Sequence, residues 1–202
     1  MEFFTSDTHF FHRNIINHCN RPFADVDEMN AELIRRWNER VSPADTVYHV
    51  GDVSFKGTGA TKEIISQLNG YKILIRGNHD SGEQKMLNIG FAEVYDDYVL
   101  MRDTVEKPTA ENGETVLLWL AHVPVNNSHD SRPLKRPDMD EVLFNQIEMG
   151  YDYIPLCGHV HTAWKSFEGC INVGCDVWDY RPITLNEILE YRHSLHVERL
   201  SS

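Results

Sequence analysis

The sequence predicts an α/β domain with substantial parallel strand pairing, and two observations predict it. Short apolar runs alternate along the chain with stretches whose apolar residues recur at helical spacing. The composition is that of an ordinary globular domain, with 41% hydrophobic and 25% charged residues in a chain of 202. That length is read as one domain, residues 1–202, large enough to bury a core without disulfides.

Five of the apolar runs read as buried strands: Phe3–Ser6, Thr46–Val50, Lys72–Arg76, Thr115–Ala121 and Tyr153–Cys157. Between the first two, Val26, Met29, Leu33, Ile34 and Trp37 share a helix face, with Asp25 and Glu28 placed as a capping pair. Ala60, Ile64, Ile65 and Leu68 form a second stripe, stopped by Asn69-Gly70. Residues 91–105 read as two more strands, paired antiparallel around Asp96-Asp97. A polar turn at 106–114 and an exposed loop at 126–137 with Pro133 and Pro137 follow. Asp138, Glu141, Val142, Leu143, Ile147 and Gly150 mark a third helix.

Charge and composition narrow the partners. With 31 acidic and 19 basic residues the formal charge is −12, which disfavours a broad grip on extended duplex nucleic acid. A phosphate substrate stays compatible, because bound metal reverses the sign locally. The longest apolar stretch, Val116–Ala121, is far too short to span a bilayer. Met1-Glu2-Phe3-Phe4 lacks the basic start of a signal peptide, and Cys19, Cys157, Cys170 and Cys175 form no CxxC pair. The expectation is a cytoplasmic protein with no membrane association.

Position is the central signal. Each of the five strands runs into residues able to bind a metal: Asp7-Thr8-His9, Gly51-Asp52, Gly77-Asn78-His79-Asp80, His122, and Gly158-His159-Val160-His161. Ligands of open α/β sheets bind beyond the carboxyl ends of the strands, so five such ends converge on one crevice. Asp-x-His, Gly-Asp and His-x-His each recur by chance in turns and packed sheets. Gly-Asn-His-Asp is rarer, arising in roughly one such chain in a thousand at average usage. Imidazole, carboxylate and amide oxygen together suit Mn, Fe, Zn, Ni or Co, with manganese the leading choice. Two neighbouring ions need a bridging carboxylate and activate a shared water for in-line attack on phosphorus. Asp7, His9, Asp52, Asn78, His122, His159 and His161 bring only two negative charges against four positive ones, a cationic trap for phosphate.

These residues, in this order from Asp7 to His161, resemble the calcineurin-like metallophosphoesterase superfamily. The segment from Asp7 to Ile16, Arg21-Pro22-Phe23, and the tail from Asn172 through Asp176 to Pro182 resemble a small bacterial and phage branch of it. The resemblance implies a four-layer α/β/β/α sandwich of two mixed sheets flanked by helices, with two metals at their shared edge. It implies Asp7, His9, Asp52 and His161 on one metal and Asp52, Asn78, His122 and His159 on the other, so that Asp52 bridges. It also implies that His79 faces the substrate and stabilises or protonates the leaving oxygen, with Asp80 orienting its imidazole. Two departures stand out. Phe55 occupies the place where this family often has the last Asp of Gly-Asp-x-x-Asp, and Ala121 precedes His122 where Gly is usual.

Other residues carry weaker readings. His12 and Asn14 line the substrate pocket or serve helix packing, and His49 reads as a core histidine. Arg132 and Arg136, with His129 and Lys135, form either a phosphate-binding lip or a solvated loop, and Arg181 is another candidate anion contact. The function expected is a metal-dependent phosphoesterase, diesters slightly ahead of monoesters, with nucleotides among the possible substrates. The alternative is a binding or scaffold module of the same fold, which loss of His79 or of metal ligands would mark; neither is lost.

Overall fold

The computed structural model describes residues 1–105, 114–124 and 152–201. The expected turn after residue 105, the loop with Arg132 and Arg136, and the helix at 138–150 lie outside the described residues.

Strands β1 (Glu2–Thr5), β2 (Thr46–His49), β3 (Tyr71–Ile75) and β4 (Glu93–Tyr95) pair in parallel, and β10 (Ile183–Thr184) joins antiparallel to β1. The second sheet has the order β5 (Tyr98–Val105), β6 (Glu114–Ala121), β7 (Asp152–Cys157), β9 (Cys170–Asn172), β8 (Ser166–Phe167). In it β6, β7 and β9 are parallel, with β5 and β8 antiparallel at the edges. The expected hairpin around Asp96-Asp97 is therefore corrected. Its first strand, β4, pairs with β3, and its second, β5, pairs with β6, so the chain changes sheets between them.

Helices α1 (Arg13–His18), α2 (Val26–Arg40), α3 (Thr58–Ile65) and α4 (Glu83–Ile89) belong to the first half of the chain, and α5 (Leu185–Ser201) ends it. The Asp25 side chain caps α2, accepting from the amides of Asp27 and Glu28 at 2.9 Å, and Glu28 accepts from the Ala24 amide. Helix α3 stops before Leu68, which stays buried in a tightened turn.

The core explains why the strands read as uninterrupted apolar runs. Neighbouring residues of β1 face different layers: Phe3 packs with Leu33, Trp37 and Ile65 under the helices, and Phe4 with Val50, Leu118 and Ile154 between the sheets. In β6, Leu118 and Leu120 face the first sheet, while Trp119 and Ala121 face the other way against Leu100 and Tyr153. Two mixed sheets packed face to face and flanked by helices are the architecture the resemblance implies. A parallel bridge from Ser6 to Gly174 joins the sheets at one end, where the carboxyl ends of β1, β2, β6 and β7 meet. Backbone amides of Asp7, His9 and Gly158 donate hydrogen bonds to the carbonyls of Gly51 (3.0 Å), Asp52 (3.1 Å) and His122 (3.0 Å) and tie the loops there.

Candidate metal centre

Five residues read from the sequence as metal ligands hold the left-handed backbone conformation: Asp7 (φ 55°), His9 (49°), Asp52 (59°), His159 (70°) and His161 (46°). Such values are uncommon outside glycine, although Asp and His tolerate them better than most residues, and strained backbone gathers at functional sites. The turns that aim these side chains also demand close approach. Gly51 sits at φ 89°, and a Cβ there would meet His122 Nδ1 at 2.5 Å. At Gly158 it would overlap Ser6 Oγ and lie 2.6 Å from Asp7 Oδ2.

The side chains converge in two halves. On one, Asp7 is fully buried, and its Oδ2 accepts from Ser6 Oγ (2.6 Å) and the His159 amide (3.0 Å). Among the described residues its Oδ1 has no hydrogen-bond partner, nor has either ring nitrogen of the buried His9. His9 Nε2 lies 3.8 Å from Asp7 Oδ1 and 3.7 Å from Asp52 Oδ2, and His161 Nε2 lies 3.9 Å from Asp7 Oδ1. On the other half, Asn78 Oδ1 is 3.1 Å from both His122 Nε2 and His159 Nδ1. His122 Nε2 is 3.4 Å from Asp52 Oδ2, and its Nδ1–H donates to the Val50 carbonyl at 2.8 Å, which leaves Nε2 facing the cluster. Asp52 Oδ2 thus faces both halves.

The sequence reading missed the residues behind His161. Its Nδ1–H donates to Asp176 Oδ2 at 2.9 Å, which turns Nε2 toward Asp7. Arg21 grips the same carboxylate with Nε (2.8 Å) and Nη2 (3.0 Å) and donates to the carbonyls of Asp7 (2.7 Å) and Thr8 (2.9 Å). Both side chains of the pair are fully buried, so the two charges neutralise each other and fix a ring and a turn at once. The signal was present in Arg21-Pro22-Phe23 and Asp176, without a partner to connect them.

Electrostatics show how strongly the carboxylates seek positive charge. Burial alone works against a charged imidazole at His122, yet the Asp52 and Asp7 carboxylates overcome it and push it up to about 9. At His161 burial is again overcome, by the Asp176 bond foremost, and the ring is pushed up to about 10. Burial pushes the Asp7 carboxyl up, against the pull of His122 and His161. Burial also opposes ionisation of Asp52, but His122 above all holds it below the usual carboxylate range.

The family model for the calcineurin-like phosphoesterase superfamily domain matches residues 3–176. The chain belongs to that superfamily. An uncharacterised protein of Methanocaldococcus jannaschii is 33% identical to it over 187 residues, covering 92% of this chain and 87% of that protein. The Gene 66 protein of Mycobacterium phage L5 is 28% identical, over 96% of this chain and 95% of its own. A protein of unknown function from Aquifex aeolicus has a similar structure, with a TM-score of 0.66, 31% identity and coverage of 95% of this chain and 98% of that one.

For a phosphoesterase of this superfamily the donor set fits divalent metal. Asp7, His9 and His161 form one group able to hold an ion, and Asp7, Asp52 and His122 another. Bonds of roughly 2.0–2.2 Å to nitrogen and oxygen place neighbouring ligands of one ion about 3 to 3.6 Å apart. The 3.1 Å and 3.4 Å spacings meet that, and those near 3.8 Å lie a few tenths of an ångström outside it. The orphaned Asp7 Oδ1 and His9 Nε2 are buried polar atoms that a cation would satisfy.

The other expected residues are placed as follows. His79 is half-exposed at the cluster's mouth, with Nε2 3.9 Å from Asp52 Oδ2, and its amide donates to Asp52 Oδ1 at 3.0 Å. Asp80 does not orient that imidazole. Its carboxylate accepts instead from the amides of Asp52 (2.8 Å), Gly77 (2.8 Å) and Val53 (2.9 Å), clamping the Asp52 turn to the Asn78 turn. His12 stands beside the cluster, its ring centroid 5.3 Å from that of His9, whereas Asn14 is exposed on α1. Arg181 points to Glu187 (3.8 Å) and Asp179 (4.0 Å), an acidic setting unlike an anion site. His49 is buried and donates Nε2–H to Thr8 Oγ1 at 3.0 Å. Among the described residues, no helix is long and apolar enough to cross a membrane.

Proposed function

We propose that the protein hydrolyses phosphate esters with two divalent ions, manganese first among them, and prefers phosphodiesters to monoesters. The observation that supports this reading is the gathering of seven donors, Asp52 among them, from five strand ends, with His79 at the open side. Asp7, His9, Asp52 and His161 would hold one ion, and Asp52, Asn78, His122 and His159 the other. When bound, the ions supply Lewis acidity and activate water toward phosphorus.

The chain's own residues do the rest. Asp52 faces both halves and so fixes their separation. The Val50 carbonyl and Asp176 each take a ring N–H, from His122 and His161, leaving the opposite nitrogen of each as the donor. Asp80 keeps the Asp52 and Asn78 turns in register. His79 stands free of the metal-ligating set and within reach of an ester oxygen, where its imidazole gives a proton to the departing alkoxide. A nucleotide ester is a suitable substrate class, because the formal charge of −12 disfavours an extended duplex but not a small phosphate ester at a cationic centre.

The test is turnover of chromogenic mono- and diesters by protein loaded with Mn²⁺, with and without chelator. The reading expects chelator-sensitive hydrolysis, faster on diesters. No hydrolysis of any phosphate ester by protein holding two ions would replace it with a binding module.

A further inference from the structure

We propose that Phe55, with His12 stacked behind it, forms a subsite for a planar ring on the His79 side of the metal cluster. This rests on the phosphoesterase reading and adds a substrate class to it: esters whose leaving group carries a nucleobase or an aryl ring.

Phe55 follows the Asp52 turn three residues on, and the residue is 41% exposed. A half-exposed aromatic ring beside these polar donors offers a flat apolar face on which a ligand ring can stack. Three imidazoles surround the ring. His12 stacks on it with centroids 3.8 Å apart and an interplanar angle of 14°, His79 lies at 4.6 Å and 47°, and His9 at 5.1 Å. The ring is thus next to the proton donor proposed for the leaving group.

The backbone is fixed as firmly as the ring. The Phe55 amide donates to the Phe10 carbonyl at 2.9 Å, and a bridge joins Phe10 to Ser54. Phe10 is fully buried and follows His9 directly, so Phe55 is tied by its backbone to the turn that carries His9. A phosphate held at the cluster with its ester oxygen toward His79 places the departing group against this apolar wall. A flat ring uses that wall best, because it stacks without needing hydrogen bonds and loses little conformational freedom.

Calorimetric titration of the Mn²⁺-loaded full chain with adenosine 5′-monophosphate, phenyl phosphate and methyl phosphate tests the subsite. The two ring-bearing probes should bind about tenfold more tightly than methyl phosphate. Phe55→Ala should abolish that ratio, and Phe55→Leu, which keeps apolar bulk without a ring, should preserve only part of it. Adenosine monophosphate ahead of phenyl phosphate identifies a nucleobase, and the reverse order an aryl group. Equal affinity for all three probes, or a ratio that survives Phe55→Ala, overturns the proposal. Ester turnover without any ring preference would sink the subsite and leave the phosphoesterase reading intact. Ring preference in binding without turnover of any ester would do the opposite.

Discussion

On the Asp7 side of the cluster Asp7 and His9 are deeply buried and His161 is held from behind, whereas on the Asn78 side only His122 is buried and backed by a carbonyl, and Asn78 and His159 lie nearer solvent. Asp7 and His9 are almost wholly buried, and His161 is held through Asp176 by Arg21. Asn78 is exposed, and its carbonyl oxygen contacts both His122 and His159. The difference teaches where cation binding is strongest. A buried carboxylate oxygen with no partner is costly, so an ion there relieves a large desolvation penalty. An amide oxygen already lying within hydrogen-bonding distance of two imidazoles gains less. The Asp7 half should therefore fill first and release its ion last.

Breaking the element that joins the halves should have the largest effect. Asp52→Asn removes the charge that the two proposed ions would share, and we expect loss of at least one ion and a fall in kcat of about a thousandfold or more. Metal analysis after gel filtration checks this, and two retained ions would contradict a shared bridge. His79→Ala leaves the donors in place, so both ions should stay while kcat falls about a hundredfold. A series of esters graded by leaving-group pKa should show the deficit growing as the leaving group worsens. A uniform deficit would remove proton donation from His79.

Asp176→Asn sharpens the comparison directly. It keeps the shape but loses the anion that orients His161, so affinity should drop about ten- to a hundredfold for the ion of the Asp7 half. The ion of the Asn78 half should be unaffected, and calorimetric titration with Mn²⁺ separates the two. Equal losses at both would mean that Arg21 and Asp176 only support the fold.

The smallest effect concerns the ground beneath the site. Burial holds the His49 imidazole down to about 3, while an unfolded chain protonates near the ordinary value of about 6.5. Between those values the unfolded state binds the extra proton, so this residue lowers stability as pH falls, by about 1.4 kcal/mol per pH unit. His49→Gln should flatten the acid side of the stability profile by that share, measured by urea unfolding between pH 6 and pH 4. An unchanged slope would show that His49 does not titrate this way.

Much of the candidate metal centre was legible because its residues sit at strand ends, where an apolar run gives way to Asp, Asn or His. The five strands matched to within a residue for the same reason, being buried on both faces. What the sequence hid was long-range or very short. Arg21 and Asp176 are 155 residues apart and pair only in the fold. Strands β8 and β10 have two residues each, too few for any periodicity. The Asp96-Asp97 segment has the composition of a hairpin turn, and only the pairing of its flanks shows that it crosses between sheets. Asp80 was misread because adjacency to His79 in the chain suggested contact with its ring, whereas the turn directs the carboxylate to three amides.

Anomalous diffraction from crystals soaked in Mn²⁺ addresses the shared Asp52 most directly. Two peaks about 3.5–4 Å apart, each within bonding distance of one Asp52 oxygen, are the predicted result. A single peak, or two peaks with Asp52 bound to only one of them, would contradict the account.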